Sequence, residues 1–149
     1  MTNNYLLFRL GDRLFGISME GALEILPWRK SRMVPLAYSY IEGLLDYRGT
    51  IYPVFQLALL LGLSRPGPIG FTAPDPMQPL KDRSIVLLRE GDRRFGITVD
   101  SVVKMARLEH PDDQTSDIKG IQPHLILGRS FDEDQEIILL RFERLFHAG

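Results

Sequence analysis

Residues 7–17, LFRLGDRLFGI, return 80 positions later as residues 87–97, LLREGDRRFGI, and this repeat decides the fold. Eight of the eleven positions are identical. The similarity fades but continues, because Ser18 faces Thr98, Glu20 faces Asp100, and an apolar stretch follows each copy. Such a match does not arise by chance in a chain of 149 residues, so we interpret it as two similar halves.

Each copy of the repeat is typical of a β-hairpin, in which Gly-Asp supplies the turn between two strand-forming runs. The runs before the turns, residues 5–8 and 85–88, are almost continuously apolar, which predicts central strands buried on both faces. Gly16 and Gly96 fall inside the strands that follow, where glycine often marks a bulge or a sharp bend. The pattern therefore predicts short sheets that curl into small barrels.

Comparable elements continue along each half. Turn signals at residues 46–49 and 132–135 each separate two further strand-forming runs, so the prediction is an all-β protein with five strands per half. Residues 57–63 predict a short capping helix at the end of the first half.

A proline-rich segment separates the halves. Residues 64–83 hold five of the ten prolines and two glycines, a composition that favours an exposed loop. We therefore expect half-domains at about 5–63 and 84–146 within a single domain spanning 1–149. Halves of roughly 65 residues bury too small a fraction of their surface to be stable alone, so we expect one shared hydrophobic core.

Composition narrows the class of protein. The chain has no cysteine, which removes thiol nucleophiles and a disulfide framework and is compatible with the cytoplasm, where we expect it. The N-terminus shows no secretory signal pattern, and the longest apolar run is far too short to span a membrane, so we expect membrane association only through a partner. The net charge of −1, with basic residues scattered among acidic ones, does not favour nucleic acid as a partner.

No catalytic or metal-binding pattern survives inspection. The Gly-x-x-x-x-Gly spacing in each repeat lacks the lysine of a phosphate-binding loop, and Ser18 lacks the second glycine of a nucleophile elbow. His110, His124 and His147 are dispersed and have no thiol to complete a metal site. The prediction is a protein that is not an enzyme and uses no cofactor or metal.

Arg48 is the residue that most favours a binding role. It lies in the predicted turn at residues 46–49, where Gly49 can take the positive φ of a tight hairpin and rigid strands hold the arginine in place. From spacing alone, a solvated turn arginine or a local ion pair with Asp46 remains the simpler alternative.

Taken together, these segments resemble the CheW-like domain family over nearly the whole chain, from about residue 5 to 146. The matching pieces, in order, are YLLF at 5–8, GI at 16–17, ALEI at 22–25, IEG at 41–43, RG at 48–49, PV at 53–54 and FGITVDSV at 95–102. Two boxes depart from the family. Its Asn-Leu-Arg-Gly appears as DYRG at 46–49, and its Pro-Val-x-Asp-Leu-Arg appears as PVFQLA at 53–58.

The resemblance implies two five-stranded SH3-like barrels packed around a shared hydrophobic core. It also implies a non-catalytic adaptor that couples the cytoplasmic tip of a methyl-accepting-type chemoreceptor to the regulatory domain of a CheA-type histidine kinase, in chemotaxis or a related motility pathway. The receptor would lie in a groove between the barrels, and the kinase would bind at the barrel ends. By motif position, the groove residues would be Ala22, Glu24, Ile25, Arg48, Val99, Val102 and Met105. The alternative is a divergent small β-barrel outside chemotaxis that binds nucleic acid or a small ligand.

Overall fold

The structure is a computed structural model, and it describes residues 2–35, 38, 40–63, 83–109, 121, 123–143 and 145. The proline-rich segment expected to separate the halves lies outside these residues, except for Arg83. The strands are β1 (Thr2–Leu10), β2 (Arg13–Ser18), β3 (Ala22–Pro27), β4 (Ile41–Tyr47), β5 (Thr50–Gln56), β6 (Ser84–Glu90), β7 (Arg93–Val99), β8 (Ser101–Glu109), β9 (Ile126–Asp132) and β10 (Gln135–Leu140). One short helix, α1 (Leu57–Leu61), and two 3₁₀ turns, Met19–Gly21 and Pro123–Leu125, complete the described elements.

The two copies of the repeat form the predicted hairpins, β1–β2 and β6–β7. Gly11 and Gly91 each open the turn with φ of 60°, a conformation that glycine adopts without steric cost. The predicted helix after β5 is also present and ends at Gly62, whose φ is 87°.

The strands form two five-stranded sheets with matching topology. The first sheet has the order β8-β1-β2-β10-β9 and the second has the order β3-β6-β7-β5-β4. Each sheet therefore combines the hairpin of one sequence half with three strands of the other half. The two strand orders become identical when each element is replaced by its counterpart in the other half.

The sheets consequently do not coincide with the two halves of the sequence. After the first hairpin the chain turns through Met19–Gly21, and β3 pairs with β6 of the second half. In the same way β8 pairs with β1. Parallel pairing of β5 with β7 and of β10 with β2 completes the exchange.

Both faces of the central strands are buried, as their continuous apolar pattern predicts. Tyr5 and Leu7 point into the first sheet's own core, whereas Leu6 and Phe8 point into a core shared between the sheets. The second sheet has its own core around Leu87 and neighbouring residues. The predicted all-β fold with two five-stranded units around a shared core is thus confirmed, but each unit is an open sheet built from both sequence halves and not a barrel formed by one half.

Neither sheet is closed into a full barrel by a ladder of backbone hydrogen bonds among the described residues. Side chains span the gaps instead. In the first sheet Lys104 Nζ of β8 lies 2.7 Å from Asp132 Oδ2 of β9. In the second sheet Trp28 Nε1 donates to Glu42 Oε1 at 3.0 Å, and an isolated backbone bridge joins Arg32 to Leu44.

Of the bulge or sharp bend expected at Gly16 and Gly96, the bulge is absent. The β1–β2 and β6–β7 registers run through both glycines without a shift. Glycine is needed there for space, since a Cβ on Gly16 would lie 2.8 Å from Leu139 Cδ2. The register shifts among the described strands occur instead at Leu23 in β3, Glu42 in β4, Val103 in β8 and Leu127 in β9.

Candidate partner-binding groove

The seven residues expected to bind a partner occupy three places in the fold. Ala22, Glu24 and Ile25 lie on β3, an edge strand of the second sheet, and Val102 and Met105 lie on β8, an edge strand of the first sheet. The remaining two are Val99, at the end of β7, and Arg48, in the turn between β4 and β5.

The residues on the two edge strands are structural counterparts of one another. Ile25 pairs with Val86 of β6, and Met105 pairs with Leu6 of β1, at matching positions of the repeat. Val86 and Leu6 both belong to the shared core. Because directly opposed residues in a sheet project to the same face, Ile25 and Met105 project from the faces that the two sheets turn towards each other.

Both counterparts remain at the surface although they lie on these inner faces. Ile25 is 46% exposed and Met105 is 65% exposed. Ala22 and Val102, at the other matched pair of positions, pack partly against the shared core. The shared core is therefore continued by exposed apolar side chains on one edge strand of each sheet, which is the arrangement expected of a groove between the sheets.

Each edge strand carries its bulge next to these residues. Leu23 is 43% exposed and Val103 is 42% exposed, and each is the extra residue of the bulge in its strand. A bulge twists an edge strand and interrupts its row of free backbone groups, which disfavours pairing with a further strand. These positions favour docking of side chains over extension of the sheet.

Leu23 and Val103 were missed by the sequence analysis although a signal was present. Continuing the repeat at its offset of 80 aligns Leu23 with Val103, both apolar residues within predicted strands. Arg29 and Tyr47, described below, had no comparable signal because their contact depends on how the second sheet curls.

Val99 does not line the groove. It is 1% exposed and lies within the shared core, so its side chain is not available to a partner. The motif position that suggested contact marks the end of β7, where the chain turns into β8 at Asp100. Val99 instead supports the groove from inside.

The charged counterparts Glu24 and Lys104 differ between the strands. Lys104 donates a hydrogen bond to the Asp132 carboxylate, and this bond and the carboxylate charge raise the pKa of Lys104 above its ordinary value. Lys104 is thereby held at the gap between β8 and β9. Glu24 is half-buried on β3.

Arg48 lies at the tip of the β4–β5 hairpin and is exposed. Both turn residues have positive φ, 52° for Arg48 and 81° for Gly49, as a type I′ turn requires. The guanidinium carbon of Arg48 lies 5.2 Å from the centre of the Tyr47 ring. No described residue forms an ion pair with Arg48, so the simpler alternative of a local pair with Asp46 does not apply in this structure.

Residues considered for catalysis have structural roles where they are described. Ser18 Oγ accepts a hydrogen bond from Glu20 N at 3.2 Å and caps the first 3₁₀ turn, and His124 lies in the second. His110 and His147 lie outside the described residues. Within the described part of the chain, no three acidic or histidine side chains gather as metal ligands, and no helix is long and apolar enough to span a membrane.

The two sheets, their shared core and the exposed apolar edges define a protein-binding scaffold, and comparison with known proteins gives its family. The model of the CheW-like domain matches residues 4–149. The chain is 28% identical over 143 residues to the chemotaxis protein CheW of Treponema pallidum, covering 95% of this chain and 80% of that protein. It is 24% identical over 139 residues to the CheW of Helicobacter pylori, covering 93% and 78%.

The fold is also similar to a solved structure, the scaffolding protein TtCheW from Thermoanaerobacter tengcongensis. The TM-score is 0.77 at 22% identity, with 98% of this chain and 88% of that chain covered. The chain belongs to the CheW-like domain family. It is accordingly a non-catalytic chemotaxis scaffold that couples receptors to the CheA kinase, and the alternative of a barrel outside chemotaxis loses its basis.

Proposed function

We propose that the groove between β3 and β8 binds the cytoplasmic tip of a chemoreceptor-type receptor, and that the regulatory domain of a CheA-type kinase binds at the ends of the curled sheets. The chain would then work in the cytoplasm and reach the membrane only through the receptor. Family membership supports receptor and kinase as the classes of partner.

The matched exposure of Ile25 and Met105 carries this proposal. Apolar side chains on a sheet edge are a liability in an isolated protein, because they invite non-specific association. Here the exposure occurs at equivalent positions on both edge strands, next to equivalent bulges. A partner that covers both strands at once would remove this apolar surface from water, and an amphipathic helix is a common element that fits an apolar groove.

The test replaces each groove residue with a carboxylate. Ile25→Asp and Met105→Asp should each weaken binding of the cognate receptor's cytoplasmic fragment by about thirtyfold or more, because about 2 kcal/mol or more is lost when an interface anchor is removed. Both residues are exposed in the free protein, so the melting temperature should change little.

The control is Phe131→Asp, which changes an apolar residue of similar exposure on β9, a strand that carries none of the seven expected binding residues. It should bind the receptor fragment as the wild type does. Binding of the kinase regulatory domain is measured on the same variants. It should be unchanged if the kinase binds at the ends of the sheets and not in the groove. Wild-type receptor affinity in both groove variants would exclude the groove as the receptor site.

A further inference from the structure

Two arginines from different parts of the chain meet on one tyrosine ring beside the β4–β5 turn. The guanidinium carbon of Arg29 lies 5.7 Å from the centre of the Tyr47 ring, and that of Arg48 lies 5.2 Å from it. Both arginines are exposed, whereas Tyr47 is half-buried and packs against the core of the second sheet. The ring is therefore a fixed platform for two solvent-facing cations.

The positions of both arginines are set by rigid structure. Arg29 follows Trp28, whose backbone N–H donates to Arg83 O at 3.0 Å and whose indole N–H donates to Glu42. Arg48 is fixed by the two-residue turn that follows Tyr47. The backbone of both arginines is thus ordered before a ligand binds, which lowers the entropy cost of recognition to that of the side chains.

The positive charge of the pair is not neutralised locally. Neither Arg29 nor Arg48 forms an ion pair with any residue that the structure describes. Asp46 is the next residue along β4, but successive strand residues project to opposite faces, so its carboxylate lies on the other face from the Tyr47 ring. The nearby Glu42 carboxylate already accepts hydrogen bonds from Trp28 and Thr98.

We propose that Arg29 and Arg48, held on Tyr47, form a carboxylate-binding clamp that selects an acidic side chain on the receptor helix docked in the groove. The proposal rests on the receptor-binding function proposed above. The planar donor fork of each guanidinium matches a carboxylate, so an acidic side chain can accept charge-assisted hydrogen bonds from one arginine while the second cation adds to the attraction. Arg29 is then a specificity-determining residue, and Tyr47 is a positioning residue that sets the spacing of the two cations.

The clamp can be tested with hexaglutamate as the probe and hexaglutamine as the uncharged control, at low ionic strength. Hexaglutamate should shift the Nε–Hε NMR signals of Arg29 and Arg48 together, and hexaglutamine should shift neither. Tyr47→Leu should weaken hexaglutamate binding about fivefold, since a cation–π contact at an exposed site is worth about 1 kcal/mol. Shifts of equal size at Arg13, an exposed arginine beside the β1–β2 turn, would overturn the clamp.

The second experiment measures binding of the receptor fragment to arginine variants. Arg29→Gln should weaken its binding to a similar extent as Arg48→Gln, whereas Arg13→Gln should not. If the receptor fragment binds Arg29→Gln as tightly as it binds the wild type, the clamp proposal is wrong. The proposal that the groove binds the receptor is not affected by this result. If the wild type binds hexaglutamate at both arginines but not the receptor fragment, the arginines bind carboxylates and the receptor-binding proposal fails.

Discussion

Arg48 occupies a backbone conformation that costs the fold free energy. At φ of 52° the Cβ of a non-glycine residue is crowded by backbone, at a cost of about 1 kcal/mol. Type I′ turns favour Asn-Gly for this reason, and this turn reads Arg-Gly. The side chain of Arg48 gives the fold only a solvent-exposed contact with the Tyr47 ring, so it remains available to a partner.

We therefore predict that Arg48→Asn stabilises the protein while weakening receptor binding. Relief of the turn, partly offset by the lost contact with Tyr47, should raise the melting temperature by at most about 2 °C in a domain of this size. Loss of the guanidinium should lower receptor affinity at least tenfold, since arginine is a frequent anchor at interfaces. Calorimetry and a binding titration on the same sample measure the two effects.

The chain offers a matched control at the second hairpin of the same type. Glu133 occupies the corresponding position in the β9–β10 turn, with φ of 49°. Glu133→Asn should give a similar rise in melting temperature and leave receptor affinity unchanged. A fall in the melting temperature of Arg48→Asn alone would mean that the Arg48 side chain stabilises the fold.

At the scale of elements, the two glycines inside β2 and β7 are related by the repeat but differ in how tightly they are packed. A Cβ on Gly16 would lie 2.8 Å from Leu139 Cδ2 and 3.1 Å from Leu7 Cδ2, both of which are fully buried. At Gly96 the nearest atoms, on Ile85 and Leu87, lie at 3.3 Å. The first sheet therefore has less room at this position than the second.

This difference predicts an order of stability. Gly16→Ala should lower the free energy of unfolding by about 1–3 kcal/mol, because an added methyl group must displace side chains in a filled core. Gly96→Ala should cost clearly less, since shifts of a few tenths of an ångström suffice. Urea unfolding of the two variants and the wild type measures both values. An equal cost, or the reverse order, would show that packing does not explain these glycines.

The sequence predicted the hairpins and the two-faced burial of β1 and β6 because their signals are local. Gly11 takes the positive φ that its turn requires. A strand that is apolar at every position, such as residues 5–8, must be covered on both faces. The exchange of hairpins between the sheets was not predicted. Because β1 and β6 carry nearly the same apolar pattern, pairing β3 with either strand would satisfy that pattern equally. Local periodicity does not specify which partner a strand finds across 60 residues or more.

The candidate site was predictable to a similar degree. Ile25 and Met105, chosen by motif position, lie on edge strands of the two sheets, and their equivalence follows from the repeat. Val99 was misjudged because a motif position carries no information on burial. The contact of Arg29 with Tyr47 could not be predicted from the sequence, because it forms only when the second sheet curls and brings the end of β3 close to β4.

At the scale of the whole molecule, strand exchange is what creates the groove. β3 and β8 each reach an edge of a sheet by pairing with the hairpin of the opposite half. Their exposed residues consequently continue one core that both halves build. Neither half contains a complete sheet, so we propose that the chain folds and binds its partners as a single unit.

The central claim is that a receptor covers β3 and β8 together, and cysteine protection tests it most directly. The chain has no cysteine of its own, so Ile25→Cys, Met105→Cys and the control Phe131→Cys each introduce one thiol. Maleimide labelling rates are measured with and without saturating receptor fragment. We predict at least tenfold slower labelling at both groove positions and an unchanged rate at residue 131. Labelling of Ile25→Cys or Met105→Cys at the free rate while the receptor is bound would contradict the account.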